Sequence, residues 1–440
     1  PLDEPVDIHD LLHTGLIGHR EGVALVCAKT RRTWQKLQDG IDNLAGHYLA
    51  LGLEPGDRVA SLMPNRVELV IHYLACMKAG LVATPLNYRY LAPQIDHALE
   101  VSGAKLLVAH VEREADLNAS MYAKDLALGI VRYGEADKSG LERMISGPSS
   151  VRPQRAIALS DPAVIFFTSG STGKPKGVTH SYETLGWMLA GTVAALEMKA
   201  DDVILPGSSI SHLGSFLWTL AGLVTGARVI VARTFDGDEI LPLLVEHRPT
   251  VLCMLPAALM CLVREHGATQ EVFSSLRLCR GGGDKVPAEL EAEFTALTGF
   301  PIDEGYGMTE IGLATLNPPS GEIRIGSVGR PVPSFAMSIR DEDENLLELG
   351  EDGRLWVRTP TATVGYWQNQ GATADLFSDG WLNTGDVMRA DEDGYLWFRG
   401  RKKQIIVHDG SNICPQEVEE ALLEHEDVHA AGVVGVYDPI

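Results

Sequence analysis

The stretch that most constrains this chain runs Phe166-Phe167-Thr168-Ser169-Gly170-Ser171-Thr172-Gly173-Lys174-Pro175-Lys176-Gly177-Val178. The apolar residues before it, Ala163, Val164 and Ile165, predict a buried strand closed by two aromatics. A short loop of hydroxyls, glycines and lysines follows. Gly170, Gly173 and Gly177 lack Cβ atoms, so backbone N–H groups can turn inward on an anion. Thr168, Ser169, Ser171 and Thr172 add hydroxyl donors, and Lys174 and Lys176 add positive charge. This chemistry fits a polyphosphate, most simply ATP. The common P-loop is excluded, because Thr168 stands where its first glycine belongs and Pro175 follows Lys174 in place of Ser or Thr. The competing reading is a flexible solvent loop, against which the density of donors after a buried strand argues.

The length, 440 residues, calls for two or three domains. A hydrophobic content of 45% with 22% charged residues describes a globular chain. The net charge of −22 argues against nucleic acid and against an anionic membrane surface. An anionic ligand needs local cations, which Lys174, Lys176 and the basic run at 399–403 provide. The six cysteines show no metal-ligand spacing or disulfide framework, so reduced thiols in a cytoplasmic protein are expected. The acidic start lacks an apolar signal core, and a chain beginning at Pro1 reads as trimmed. The most apolar region, 213–232, reads as helix–turn–strand in a core rather than a membrane span.

Thr33 predicts an N-cap for an amphipathic helix carrying Trp34, Leu37, Ile41, Leu44 and Tyr48. A second amphipathic helix is expected around Leu69, Val70, Tyr73, Leu74 and Met77. Strands are expected at 58–63, 81–86, 105–109, 228–232, 250–254 and 276–280, with further helices at 184–196 and 238–247. Strands alternating with helices imply parallel α/β sheets. The loop at 168–176 and the turn Gly281-Gly282-Gly283 both follow strands, so both are expected at one crevice. From about 321 the texture shifts to short alternating strands (336–339, 353–358, 395–398), predicting a small β unit. After the basic run come a strand at 404–407, a loop at 408–412, a helix opening at Pro415 and a strand at 431–436.

Three further clusters carry chemistry. In Tyr306-Gly307-Met308-Thr309-Glu310 the aromatic suits a purine and the carboxylate suits Mg²⁺ with phosphate. Glu310 stands where the third glycine of a dinucleotide fingerprint would be, which excludes that motif. Thr384-Gly385-Asp386 reads as a tight turn whose carboxylate can accept two ribose hydroxyls. His212 lies beside an apolar segment, where a structural histidine is the competing reading.

The order and spacing of these motifs, with Gly56-Asp57-Arg58-Val59 and Thr84-Pro85-Leu86-Asn87 before them and Gly410-Ser411-Asn412-Ile413-Cys414-Pro415 after, resemble the adenylate-forming superfamily. The similarity is to its AMP-forming acyl-CoA synthetase branch and covers essentially the whole chain. The resemblance implies a large N-terminal domain at 1–400, with parallel α/β sheets to about 320 and a β-barrel-like unit at 321–398. A small α+β domain is then implied from 401, incomplete at 440, with a hinge at Lys403. It implies a reaction in which a small carboxylic acid is activated by ATP and passed to CoA. Thr168, Ser169, Gly170, Ser171, Thr172, Gly173, Lys174 and Lys176 would surround the triphosphate, with Thr168 and Glu310 toward Mg²⁺. Gly281, Gly282, Gly283 and Asp284 would flank adenine with Gly305, Tyr306, Gly307, Met308 and Thr309. Asp386 and Arg401 would hold the ribose, and Gly410, Ser411 and Asn412 would line the CoA tunnel. Lys176, Glu310 and His212 are the expected catalytic set, His212 at the junction of acyl and pantetheine channels.

The lysine that such enzymes carry near their C-terminus does not occur here, so these 440 residues are expected to bind ATP but to adenylate poorly. The triple glycine is less bulky than the Ala/Pro versions common in relatives, and a deeper acyl pocket is one expectation from it. The competing functions are a ligase that loads a carrier protein and a non-catalytic nucleotide-binding subunit. The apolar segment 213–223, with no counter-ion near it in sequence, points to a fatty, alicyclic or aromatic acid. A homodimer is left open alongside a monomer.

Overall fold

The computed structural model describes residues 3–134, 140–153, 157–168, 174–401, 406–408, 411–413, 418–419, 422–423, 425, 428 and 431–434. A nine-stranded sheet is built on the parallel strands Val23–Cys27, Arg228–Ile230, Val203–Gly207, Val251–Met254, Leu278–Gly281 and Asp303–Met308, in that spatial order. Antiparallel strands close its edges: Thr30–Thr33 on one side, Gly312–Leu316 and Arg330–Pro331 on the other. A seven-stranded sheet has the parallel core Pro162–Thr168, Val82–Pro85, Arg58–Leu62, Leu106–His110 and Ile130–Tyr133.

Period-two alternation explains how the sheets stack. Leu25, Ile204, Val229, Val251 and Leu278 face one core, while Val26, Leu205, Ile230, Leu252 and Cys279 face another. In the seven-stranded sheet, Val59, Leu106, Val108, Val164 and Phe166 join that first core. Ala60, Leu107, Ala109, Ile165 and Phe167 face a third. The sheets therefore share one central layer containing the helices Trp34–Ala50, Val67–Lys78, Tyr182–Ala195 and Leu213–Thr225. Outer layers carry Gly237–His247, Pro256–Arg264 and Ala288–Thr298 on one side and Ala92–Ser102 on the other.

Thr33 caps its helix as expected, accepting from the Lys36 N–H. The second helix departs from the amphipathic expectation, since every residue from Val67 to Met77 is buried. A helix between two sheets has no face left for water. The strand Lys176–Ser181 was not expected; it pairs antiparallel with Pro162–Thr168, with Thr168 opposite Lys176, so the hydroxyl–glycine loop joins the arms of a hairpin.

The strands Ala336–Arg340, Gly353–Arg358, Trp381–Ala390, Phe377–Ser378 and Leu396–Arg401 form a small antiparallel sheet. Its core residues Leu355, Val357, Met388 and Leu396 pack on Tyr306, Ile311 and Ala314 at the edge of the large sheet. Thr384-Gly385-Asp386 is not a tight turn. It lies inside the strand Trp381–Ala390, where the register shifts and Gly385 takes φ +74°. This is a bulge, which re-aims a side chain without ending the strand. Near the end of the chain, Ile406–His408 and Ser411–Ile413 form a hairpin with Val407 opposite Asn412, so the expected loop at 408–412 is shorter and Ser411 and Asn412 belong to a strand. Residues 431–434 adopt no strand, contrary to expectation. Residues 404, 405, 415, 435 and 436 of the expected elements lie outside the described residues.

The N-terminal ends of three adjacent strands are tied together. Asp202 receives bonds from Arg277 at 2.8 and 2.7 Å and from the Thr250 hydroxyl at 2.6 Å. Burial opposes ionisation of Asp202, but these donors outweigh it and hold the carboxyl below its usual range. Removing one partner of such a pair leaves a buried charge uncompensated, so Arg277→Met is expected to destabilise the fold by about 3 kcal/mol. Urea unfolding followed by circular dichroism measures this; an unchanged midpoint contradicts it.

Candidate functional site

A cleft of about 2100 Å³ opens at the C-terminal ends of the large sheet's parallel strands. Ser208, Leu255 and Gly282, each just past a strand, line it, as do Tyr306 and Met308. The small sheet contributes Asp386, Phe398, Gly400 and Arg401. Parallel strands gather their loops on this side, which is where ligands collect in such sheets.

The expected residues fall into three groups. Gly282, Gly283 and Asp284 line the cleft with Gly305, Tyr306, Gly307, Met308 and Thr309. Gly281 does not: it ends its strand against the side chains of Val286 and Ile302. His212 lines the cleft from the position before Leu213–Thr225 and makes no capping bond with its side chain. Its ring is exposed to the cleft, yet the surrounding protein strips enough water to lower its pKa by desolvation. Thr168, Lys174, Lys176 and Glu310 are not among the residues that line the cleft, so the one shared crevice is not seen, and what ties Lys176 to the 305–310 segment is an intermediary. Ser169, Gly170, Ser171, Thr172, Gly173, Lys403 and Gly410 lie outside the described residues.

That intermediary is Tyr366, which sequence reasoning did not single out. Its hydroxyl donates to Glu310 Oε1 at 2.9 Å, and Lys176 Nζ sits 4.7 Å from the centre of its ring. The strand Gly365–Tyr366 pairs with Lys176–Ser181, which places the tyrosine between lysine and carboxylate. His180 adds a second tie, its Nε2 lying 2.8 Å from the Thr309 carbonyl. Burial depresses the His180 pKa to about 4, so the neutral ring donates this bond. Glu310 is itself buried, and desolvation raises its pKa, against the hydrogen bond from Tyr366 and the charges of Arg401 and Lys176. A buried carboxylate with a raised pKa gains from a cation. The Glu310 carboxylate is a hard oxygen donor of the kind that suits Mg²⁺ beside phosphates. Among the described residues no group of three His, Cys, Asp or Glu side chains forms a metal cluster.

Asp386 is 3% exposed and engaged on both oxygens, by the Tyr306 hydroxyl at 2.6 Å and by Arg401 Nε at 3.2 Å. Desolvation nevertheless raises its pKa. Tyr306 stacks on Phe398 at 6.4 Å. A second unforeseen residue, Arg280, reaches the cleft from the end of Leu278–Gly281 and lies over Trp218 at 4.9 Å. The signal for it was present, since an arginine ends an otherwise apolar strand.

The sequence profile described as "AMP-binding enzyme" matches residues 17–367. The chain belongs to the AMP-binding enzyme family. A feruloyl-CoA synthase of Amycolatopsis sp is 34% identical over 415 residues, covering 93% of this chain and 82% of the relative. A long-chain-fatty-acid–CoA ligase of Yersinia pestis is 31% identical, covering 99% and 85%. The crystal structure of ATP-bound MatB from Rhodopseudomonas palustris superimposes with a TM-score of 0.91 at 28% identity, covering 98% of this chain and 86% of that one. This AMP-binding enzyme is accordingly an AMP-forming acid–thiol ligase that uses ATP, Mg²⁺ and CoA. No helix among its described residues is long and apolar enough to cross a membrane.

The AMP-binding enzyme offers a test of the Tyr366 bridge. The hydroxyl bond lowers the Glu310 pKa, so Tyr366→Phe moves that pKa further up. The acid limb of the pH–rate profile for ATP–pyrophosphate exchange is then expected to shift to higher pH, with the alkaline limb unmoved. An unshifted acid limb removes Glu310 ionisation from the rate.

Proposed function

We propose that the hairpin lysine and the buried carboxylate carry the adenylation step together. Lys174, Lys176 and the loop between Thr168 and Lys174 receive the triphosphate, and Glu310 with Thr168 would hold Mg²⁺, which when bound would supply positive charge to the phosphates. A carboxylate attacks the α-phosphorus, pyrophosphate leaves, and charge builds on phosphoryl oxygens that the lysines stabilise. The thiol of CoA then displaces AMP, so no protein nucleophile is needed. The observation that carries this reading is the Lys176–Tyr366–Glu310 bridge, which joins two motifs distant in sequence at one point.

Adenine is assigned to the wall made by Gly282, Gly283, Asp284 and residues 305–309. The ribose is assigned to Asp386 and Arg401, and the acid with the incoming thiol to the neighbourhood of His212. Ser411 and Asn412, with Gly410, are assigned to CoA, and Lys403 to a hinge between a unit at 1–400 and one that begins at 401. The acid's body is aromatic or extended and apolar. Supporting this are the walls of Leu213, Leu217, Trp218 and Met254, and relatives named for ferulate and long-chain fatty acids. A cytoplasmic location is in keeping with cysteines 27, 76, 253, 261 and 279, all free and none exposed.

The test is exchange of pyrophosphate into ATP by the intact protein across a panel of acids. Lys176→Ala and Glu310→Gln are each expected to lower the rate about a hundredfold. AMP release is expected to follow added CoA and not a phosphopantetheinyl carrier protein. Exchange that survives both substitutions removes these residues from the chemistry, and AMP release driven only by the carrier reassigns the acceptor.

A further inference from the structure

Arg280 is 6% exposed, and its guanidinium has no hydrogen bond and no ion pair among the described residues. Its Nε is buried without a partner. The terminal nitrogens lie where two cleft-lining glycines leave room: a Cβ on Gly282 would stand 2.2 Å from Nη1, and one on Gly305 would stand 2.7 Å from Nη2. The space freed at Gly282 is thus taken by a cation and does not deepen an apolar pocket. It also lies over the Trp218 ring at 4.9 Å, so the guanidinium sits where the wall assigned to adenine meets the wall assigned to the acid. Fold, not sequence, brings a positive charge to the apolar segment that seemed to lack one.

A buried guanidinium with five donors and no acceptor is costly unless something pairs with it. Two carboxylates act on it electrostatically: Asp303, its register partner on the adjacent strand, and the next residue Glu304, whose own pKa desolvation raises to about 7. Neither makes an ion pair with it, and the Asp303 carboxyl is buried with only a weak contact to Asn317. Desolvation pushes the Asp303 pKa up to about 8, against the charge of Arg280, which weakens it as a counter-ion. Desolvation also lowers the pKa of Arg280, and the opposing influence of Cys253, Asp303 and Glu304 does not outweigh it. Trp218 offers only its ring face, which attracts the charge but accepts none of the N–H groups in their plane.

We propose that Arg280 is a specificity-determining residue that pairs with a second carboxylate on the acid, so that the preferred substrates are dicarboxylic acids with one end activated and the other held by the guanidinium. The planar fork of arginine accepts a carboxylate through two parallel bonds, in a site already stripped of water. A monocarboxylic acid of the same length would leave the cation unpaired beside its apolar end. Discrimination of this kind is strong because the loss falls on a buried polar group in the protein.

This inference rests on the adenylation reading above, and the experiment separates the two. Pyrophosphate exchange by the intact protein is measured with dicarboxylates from malonate to suberate, each against the monocarboxylate of equal chain length. The wild type is expected to favour one or more diacids, and Arg280→Met to lower kcat/KM for the best of them about a hundredfold. The same variant is expected to spare the matched monoacid and the KM for ATP, and Arg280→Lys to restore part of the diacid rate. Thermal unfolding without ligand gives a readout apart from activity. Removing an unpaired buried cation is expected to leave Tm unchanged or raised, whereas loss of a structural ion pair lowers it. Equal use of monoacids and diacids, an equal loss of both in Arg280→Met, a raised KM for ATP with unaltered acid preference, or a lowered Tm each overturns the role given to Arg280. No exchange with any acid overturns the adenylation reading, and this proposal with it.

Discussion

A parallel sheet has to be covered on both faces, and that requirement organises the molecule. Two such sheets meet it economically by sharing one layer of helices, which is why Val67–Lys78 has no wet side. The parallel strands of the large sheet then begin at one end and finish at the other. At the starting end Asp202, Arg277 and Thr250 bind neighbouring strands together. At the finishing end the loops are free of that duty and surround the cleft. Stability and chemistry are thereby placed at opposite edges of one sheet.

Much of this was legible because alternation with period two survives in the sequence. Val203–Gly207 went unnoticed in the sequence, but its neighbours did not: the strands around 228–232 and 250–254 were both visible as apolar runs. Lys176–Ser181 was hidden for a physical reason. Lys176 and Gly177 carry loop chemistry, and only pairing with Pro162–Thr168 makes them a strand. The bulge at 384–386 was hidden in a similar way, since Thr-Gly-Asp also suits a turn and its strand character depends on partners in Gly353–Arg358 and Leu396–Arg401.

At the site, the motif residues were legible and their couplings were not. Tyr306 and Asp386 could each be named, but the bond between them is a fact of tertiary structure. Tyr366 and Arg280 carry no motif at all; one acts by its place beside Lys176 and Glu310, the other by its lack of a partner. Burial without full compensation is the common thread. Glu310, Asp386 and Asp303 all have pKa values raised by desolvation, which marks this edge of the sheet as electrostatically unfinished.

The tyrosine between Lys176 and Glu310 has one more consequence. A lysine and a carboxylate in direct contact would largely cancel each other. An aromatic ring interposed between them offers its face to the ammonium and its hydroxyl to the carboxylate, so each is steadied without quenching the other. Both charges are kept in reserve: the protein spaces its cation and anion apart so that an incoming ligand, and not the protein, completes the circuit.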